Sequence, residues 1–462
     1  MSDVEQRLAQ LEELGLTRRL RLISGPQGPT VLLDGSPVLL LCSNNYLGLA
    51  DHPQVRAAAA EAAMRWGVGA GASRLVSGTM TIHRRLEEQL AAFERSPSCL
   101  LFGSGYLANI GVITALAGSG DVVFSDELNH ASIIDGCRLS RAEIVVYRHR
   151  DVEHLEWTMA RHRSRRDAAI RRLIVTDAVF SMDGDIAPLV EIVELADACD
   201  ARLVVDEAHA TGTLGPEGRG AIAHFGLEGE VDVIVGTLGK ALGSYGAYVC
   251  AERELTRYLL NASRPFIFST APSPPAVAGA LAALELLQRR PHRVERLQAN
   301  ARALRRALAE EGFAVAEHDM HIVPLIVGDA RDAMRMCEEA ISRGVFAQAI
   351  RPPTVAEGSS RLRLATMASH TASDMRHAAS ALAEAARALE LDPADIGTPA
   401  PLFEHAVGEP DAEAEEPAIR VIDARAGAGG LFDYEREDAP LGAPGETAPF
   451  DLERETSIAH AA

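Results

Sequence analysis

Residues 203–212 read Leu-Val-Val-Asp-Glu-Ala-His-Ala-Thr-Gly, and residues 231–241 read Val-Asp-Val-Ile-Val-Gly-Thr-Leu-Gly-Lys-Ala. Each stretch is a short apolar run that stops at polar residues, the pattern of a buried strand in a parallel sheet. Ligands of such sheets gather at the carboxyl ends of the strands. Asp206, His209 and Lys240 stand at those ends. Lys240 is also the only lysine among 462 residues, and the other 44 basic residues are arginines. An arginine stays protonated and cannot form an imine with a carbonyl, whereas a desolvated lysine can. The count alone fits arginine-rich codon usage as well as it fits chemistry, so the neighbours decide.

An aldehyde cofactor with a pyridine ring needs a lysine for the imine. It needs a carboxylate to keep the ring nitrogen protonated, and a donor near the ring hydroxyl. Lys240, Asp206 and His209 supply that set. Taken singly, Asp206 reads as a helix N-cap and His209 as a loop histidine; together, in register with the only lysine, they favour the cofactor. Its phosphate would need backbone N–H groups. Phe102-Gly103-Ser104-Gly105-Tyr106 follows a strand candidate and opens a helix, an anion site by helix-terminus logic. The same glycines also read as a dinucleotide loop. His130, in Asn129-His130-Ala131-Ser132, suits either a ring-stacking acid–base group or a plain helix start. Ser181, past the 173–176 strand candidate, suits a turn or a cofactor donor.

Outward from these residues the chain alternates strand and helix. Residues 99–102, 122–125, 144–147, 173–176, 203–205, 233–235 and 245–250 are strand candidates, with helices between most of them, such as 81–93 and 189–199. This is the rhythm of an α/β domain with a mainly parallel seven-stranded sheet. The last strand follows its neighbour too closely for a crossover, so it is expected to run antiparallel. Upstream, residues 1–25 read as a helix, and 30–33 with 38–42 as a hairpin turning at Asp34-Gly35. The division expected is 1–52 as an N-terminal segment, 53–288 as the large domain, 289–392 as a smaller α+β domain with strands at 322–327, 346–350 and 361–365, and 393–462 as an acidic, largely disordered tail.

The formal charge is −20, of which −12 falls between Asp395 and Ala462. That balance argues against a nucleic-acid partner, which would want a basic face. No apolar stretch reaches the roughly 18 residues that span a membrane. The six cysteines are scattered without a CxxC pair, so neither a zinc site nor a disulfide framework is expected, and a cytoplasmic setting fits.

The chain resembles the α-oxoamine synthases, pyridoxal-phosphate enzymes of the aspartate-aminotransferase fold (fold type I). The resemblance is carried by residues 43–49 (Ser-Asn-Asn-Tyr-Leu-Gly-Leu), 125–135, 176–188, 205–215 and 236–240. It runs from about residue 15 to 391 and leaves out the tail. Members condense a small amino acid with an acyl thioester and release carbon dioxide. Ile350-Arg351-Pro352-Pro353-Thr354-Val355, followed by Arg361-Leu362-Arg363-Leu364, is most similar to the branch that joins L-alanine to a pimeloyl thioester, carried on coenzyme A or an acyl carrier protein, in biotin synthesis. The branch that joins glycine to acetyl-CoA is the nearest alternative, and a nicotinamide oxidoreductase using the 103–105 glycines is one of another class.

The resemblance assigns Lys240 the imine, Asp206 the pyridine nitrogen, His209 the ring hydroxyl and His130 the ring face. It places Gly105, Tyr106, Ser181 and Thr237 on cofactor atoms, mainly around the phosphate. Arg351 would hold the amino-acid carboxylate with Thr354 nearby. Arg18 would contact substrate, with Arg19 and Arg21 as competitors for that place. A homodimer with active sites at its interface is implied. Glu207 stands where many relatives carry aspartate, a change expected to matter little.

Overall fold

All seven apolar runs form strands because each alternates between two cores. In the computed structural model, which describes residues 2–163, 170–316 and 318–397, they are β1 (Ser98–Phe102), β2 (Val122–Asp126), β3 (Glu143–Tyr147), β4 (Arg172–Asp177), β5 (Arg202–Asp206), β6 (Val233–Thr237) and β7 (Ala247–Ala251). The order across the sheet is β1-β7-β6-β5-β4-β2-β3. Val123, Val175, Val204, Val233 and Val235 face helices Gly105–Leu116, Ala131–Ser140 and Arg253–Ala262. Phe124, Ile174, Val205 and Ile234 face the opposite layer, built from Pro53–Trp66, Thr81–Phe93, Leu189–Ala198 and Pro274–Arg289. Period-two alternation thus buries both faces of one sheet.

As expected, β7 is the antiparallel strand, and it pairs with both β1 and β6. Reversed twice across β7, β1 runs parallel to β6. The carboxyl ends of β1, β2, β4, β5 and β6 therefore share one edge, and that edge carries the chemistry.

The smaller α+β unit stacks helices His292–Glu310, Ala330–Ser342 and Ala372–Ala388 on a three-stranded antiparallel sheet of Ile322–Gly328, Ser360–Ala365 and Ala349–Ile350. The N-terminal hairpin, Thr30–Leu33 with Ser36–Leu40, turns through Asp34 and Gly35, both at positive φ. Its Val31, Leu33 and Val38 join the core of this smaller unit.

The expectations for the N-terminal helix, the 346–350 strand and the start of the tail change. The helix proposed for residues 1–25 is Asp3–Glu13: Gly15 turns left-handed at φ 67°, and none of the helix's residues is buried, so its leucines have no core to extend along. The single strand proposed for 346–350 is two. Val345–Phe346 pairs parallel with Ser36–Leu40, and Ala349–Ile350 pairs with Ser360–Ala365, so the chain changes sheets at Ala347-Gln348. Glu207 is fully buried, and its carboxylate accepts the N–H groups of Ala221 and Ile222. A Cβ on Gly220 would sit 2.2 Å from that carboxylate, so the longer acidic side chain here requires glycine there. Of the tail, Pro393–Asp395 forms a 3-10 turn and Ile396 is buried; the disorder expected beyond residue 397 lies outside the described residues. No helix among the described residues is long and apolar enough to cross a membrane.

The loop after β4 is tied down by His149, whose Nδ1 and Nε2 lie 2.9 Å from Asp126 and Asp185. Burial alone would lower the His149 pKa; the two carboxylates overcome it and raise it to about 9. Below the ordinary histidine value of 6.5, folded and unfolded chains are both protonated and the pairing contributes in full. As pH climbs toward 9 only the folded chain still holds the proton, so the contribution fades. The stability difference between the native chain and His149→Gln should therefore shrink by about 3 kcal/mol between about pH 6 and pH 10, read from urea unfolding. A difference that does not vary with pH would contradict the pairing.

Candidate active site

Lys240 leaves the sheet just past β6 on a turn with no slack. Leu238, Ala241 and Leu242 are buried around it, and the Gly243 N–H closes on the Lys240 carbonyl at 2.9 Å. Gly243, at φ 59°, lies so close to the Leu49-Ala50 backbone that a Cβ would approach the Ala50 nitrogen to 2.4 Å. The amine therefore projects from a pinned loop. Burial lowers its pKa to about 8, against the opposing pull of Asp206 and Asp177 and with a further push from Arg363. Among the described residues it forms no hydrogen bond or ion pair.

Asp206 ends β5, opposite Asp177 at the end of β4. Its Oδ2 accepts from Asn109 Nδ2 at 2.6 Å and its Oδ1 from the Ala208 N–H at 2.8 Å. Asp177 accepts the His130 N–H at 2.7 Å, and burial together with Asp206 pushes its pKa well up. His209 is buried, with Nδ1 2.7 Å from the Tyr46 hydroxyl. Burial, then the charges of Lys240 and Arg363, hold it well below the ordinary histidine value, in the neutral form. His130 caps the Ala131–Ser140 helix through Nδ1, and burial lowers its pKa too.

One cavity of about 300 Å³ collects Asn44, His130, Ser181, His209, Lys240 and Arg363. Arg363 was missed from sequence, although Arg361 and Arg363 alternate with leucines on one strand. Two arginines on one face of a fully buried strand signal a polar cavity rather than a core. Its guanidinium donates to the Ser181 carbonyl, to Asn44 Oδ1 at 3.1 Å and to the Tyr46 hydroxyl at 3.1 Å. Asn44 and Tyr46 are how the 43–49 stretch, distant in sequence, enters the site.

Arg351 and Thr354 line a second chamber of about 850 Å³, together with Arg18, Arg19, Arg21 and Glu338. The Arg351 guanidinium donates to the carbonyls of Gly15 and Thr17. Gln348 and Ile350 line both spaces, so the chamber adjoins the lysine cavity. Arg19 and Arg21 share Glu338, while Arg18 donates to the Pro352 carbonyl at 3.2 Å.

Pyridoxal phosphate fits what is present. The cavity offers an amine of lowered pKa and a neutral imidazole, with the Asp206 carboxyl group at the end of β5 outside its lining and no metal-binding cluster among the described residues. At the same edge, Ser104 caps the 12-residue helix Gly105–Leu116, and a Cβ on Gly105 would meet nothing within 4 Å. The Gly105 and Tyr106 N–H groups stand at that helix start, where an anion cradle would form. Phe102, Ala247 and Thr237 stand in register across β1, β7 and β6. The Thr237 hydroxyl thus lies about two strand spacings, roughly 10 Å, from the cradle's strand.

The model of the aminotransferase class I and II family matches residues 36–382. The chain is 51% identical over 384 residues to an 8-amino-7-oxononanoate synthase of Geobacter sulfurreducens, covering 83% of this chain and 97% of that protein. It is 52% identical over 376 residues to the enzyme of the same name from Anaeromyxobacter dehalogenans, covering 81% and 93%. Among solved structures, a serine palmitoyltransferase of S. paucimobilis with bound pyridoxal phosphate and myriocin superposes with TM-score 0.79 at 34% identity, covering 84% and 98%. An 8-amino-7-oxononanoate synthase of Francisella tularensis superposes with TM-score 0.65 at 26% identity, covering 77% and 99%.

With one lysine in the chain, amine-directed labelling has one side-chain address. In the cofactor-free protein, acylation of Lys240 followed by peptide mass mapping should rise with a midpoint near pH 8 rather than 10.5. Asp206→Asn, by removing the carboxylate that pulls the value up, should move the midpoint lower. A higher midpoint in that variant would contradict the electrostatics.

Proposed function

Because this chain belongs to the class I and II aminotransferases and, within them, to the α-oxoamine synthases, we propose that it joins L-alanine to a pimeloyl thioester, releasing carbon dioxide, to form 8-amino-7-oxononanoate for biotin. The curated relatives carrying that name support the reading at about half identity. The observation on this chain that carries it is the adjoining chamber. An arginine-lined space of about 850 Å³ that shares Gln348 and Ile350 with the lysine cavity suits a long acyl chain with an acidic far end. A two-carbon acetyl group would leave it empty. Arg18 is the arginine assigned to that far end, since Arg19 and Arg21 are engaged with Glu338. The thioester's carrier is coenzyme A or an acyl carrier protein, and the working unit is a homodimer.

Pyridoxal phosphate, when bound, supplies a ring that accepts the electron pair left at Cα. Everything else is the work of side chains. Asp206 accepts from the pyridine nitrogen, His209 meets the ring hydroxyl, and Gly105, Tyr106, Ser181 and Thr237 hold the remaining cofactor atoms, chiefly around the phosphate. The Lys240 amine takes the Cα proton. With a pKa of about 8, about a tenth of it is unprotonated at pH 7, against well under a thousandth for an ordinary lysine. The new carbon–carbon bond forms at the thioester carbonyl, the thiol departs, and His130 donates a hydrogen bond to the oxygen as charge builds there. Arg351, expected at the alanine carboxylate, lies with Thr354 in the next chamber, fastened to the Gly15 and Thr17 carbonyls, so we assign the carboxylate to Arg363 in the lysine cavity; it then leaves as carbon dioxide, and a proton returns to Cα.

Lys240→Arg keeps the charge and should abolish turnover, and borohydride reduction of the native holoenzyme should leave a pyridoxyl adduct on Lys240 alone. Wild-type rates in the arginine variant would refute the assignment. Alanine with pimeloyl-CoA should outpace glycine with acetyl-CoA by at least tenfold in kcat/KM. The reverse preference would make the protein a glycine acetyltransferase. Arg18→Ala should raise KM for the pimeloyl thioester while leaving KM for alanine within about twofold.

A further inference from the structure

Two polar residues behind the cavity have no role in the mechanism above. Asn109 and Ser132 are both buried, on the facing helices Gly105–Leu116 and Ala131–Ser140. Asn109 Nδ2 lies 2.6 Å from Asp206 Oδ2 and 2.9 Å from Ser132 Oγ, and Ser132 Oγ lies 2.7 Å from His130 Nδ1. The directions of these bonds follow from which atoms own hydrogens. Asp206 can only accept, so the amide turns its NH₂ toward it, which leaves Asn109 Oδ1 buried without a partner among the described residues. The second amide hydrogen goes to Ser132 Oγ. Ser132's own hydroxyl hydrogen is then free for His130 Nδ1. That nitrogen also receives the Ser132 backbone N–H at 3.3 Å, a donor that cannot turn round.

We propose that Asn109 and Ser132 are positioning residues that link the Asp206 carboxylate to His130 and hold its imidazole neutral, with the proton on Nε2 and none on Nδ1. A nitrogen that accepts from two donors has no site left for a proton, so protonating the ring would break the link. The charged and titratable groups around His130 act in different directions. Asp206 favours its protonation, Lys240 and burial oppose it, and Asp177 engages its backbone N–H. The consequence for the reaction, which rests on the cofactor reading, is that His130 presents one fixed donor, Nε2–H, rather than a mixture of tautomers. The geometric assignment stands without that reading. Keeping the orphaned Asn109 carbonyl in the interior is the cost of aiming both amide hydrogens at Asp206 and Ser132.

The wild-type test is ¹⁵N-histidine spectroscopy of the holoenzyme, with the His130 signal assigned by its loss in His130→Gln. Nδ1 should show the shift of an unprotonated ring nitrogen from about pH 6 to 8; a proton on Nδ1 overturns the proposal. The variant test follows carbethoxylation of His130 against pH by peptide mass mapping. Ser132→Ala should raise the midpoint by about one pH unit, leaving about tenfold less neutral His130 at low pH. Asn109→Ala should move it in the same direction, and the double variant should match Ser132→Ala rather than sum the two. An unchanged midpoint in Ser132→Ala with a native circular dichroism spectrum overturns the link. If that variant does not fold, the wild-type spectrum decides. A Lys240 pyridoxyl adduct with no His130 shift refutes the link alone; the shift with no adduct refutes the cofactor reading alone.

Discussion

An amine and a guanidinium line one small cavity, two acidic side chains end neighbouring strands beside it, and much of the fold around them keeps that arrangement in place. Asp206 and Asp177 pull the Lys240 pKa up and Arg363 pushes it down, yet Lys240 is spared an ion pair among the described residues. A direct Lys240–Asp206 contact would be the easy relaxation, and it would raise the lysine's pKa and end its use as a base. Asp206 is occupied on both oxygens by Asn109 and Ala208, while Lys240 is held by a turn pinned under Leu238 and Leu242. A desolvated amine with opposite charge nearby but not bound is the state that gives a base of pKa about 8.

Behind this layer lies a second one. Glu207, next to Asp206 in sequence, points away from the cavity and caps the Gly220–Phe225 helix. Burial pushes Glu94 up to about 7, against the pull of the Tyr248 hydroxyl and Arg219. Burial and Glu94 together push Glu207 up to about 8. The substitution of glutamate for aspartate at 207 thus has a structural reading. The longer side chain reaches two helix N–H groups, and Gly220 gives it room.

The sheet and the candidate residues at its edge were legible because they are local. Each strand of the central sheet shows as an apolar run of about five residues, and Asp206, His209 and Lys240 stand within a few residues of a strand end. Asn109, Ser132 and Asp177 were not singled out because nothing near them in sequence demands a polar partner, and Arg363, despite its alternation with leucines, finds its partners like them on distant segments. Arg363 meets Tyr46 across 317 residues and Asn109 meets Asp206 across 97. The N-terminal helix was overextended for a related reason. Leucines near helical spacing read as one face of a helix, and only a core opposite them makes that face bury; here there is none.

The split of the 346–350 strand shows how the two chambers come to be joined. A single strand would have run along one sheet and left its side chains in one core. Instead Val345–Phe346 serves the N-terminal hairpin and Ala349–Ile350 serves the smaller domain, so Ala347-Gln348 crosses between sheets. A chain crossing between sheets cannot bury every side chain, and here Gln348 and Ile350 fall on the seam shared by the lysine cavity and the arginine-lined chamber. Arg351 follows at once and fastens to the Gly15 and Thr17 carbonyls, which seats the Arg18–Arg21 run on the chamber's rim. One change of sheet thereby sets both the opening between the chambers and the placement of the arginines at the far end.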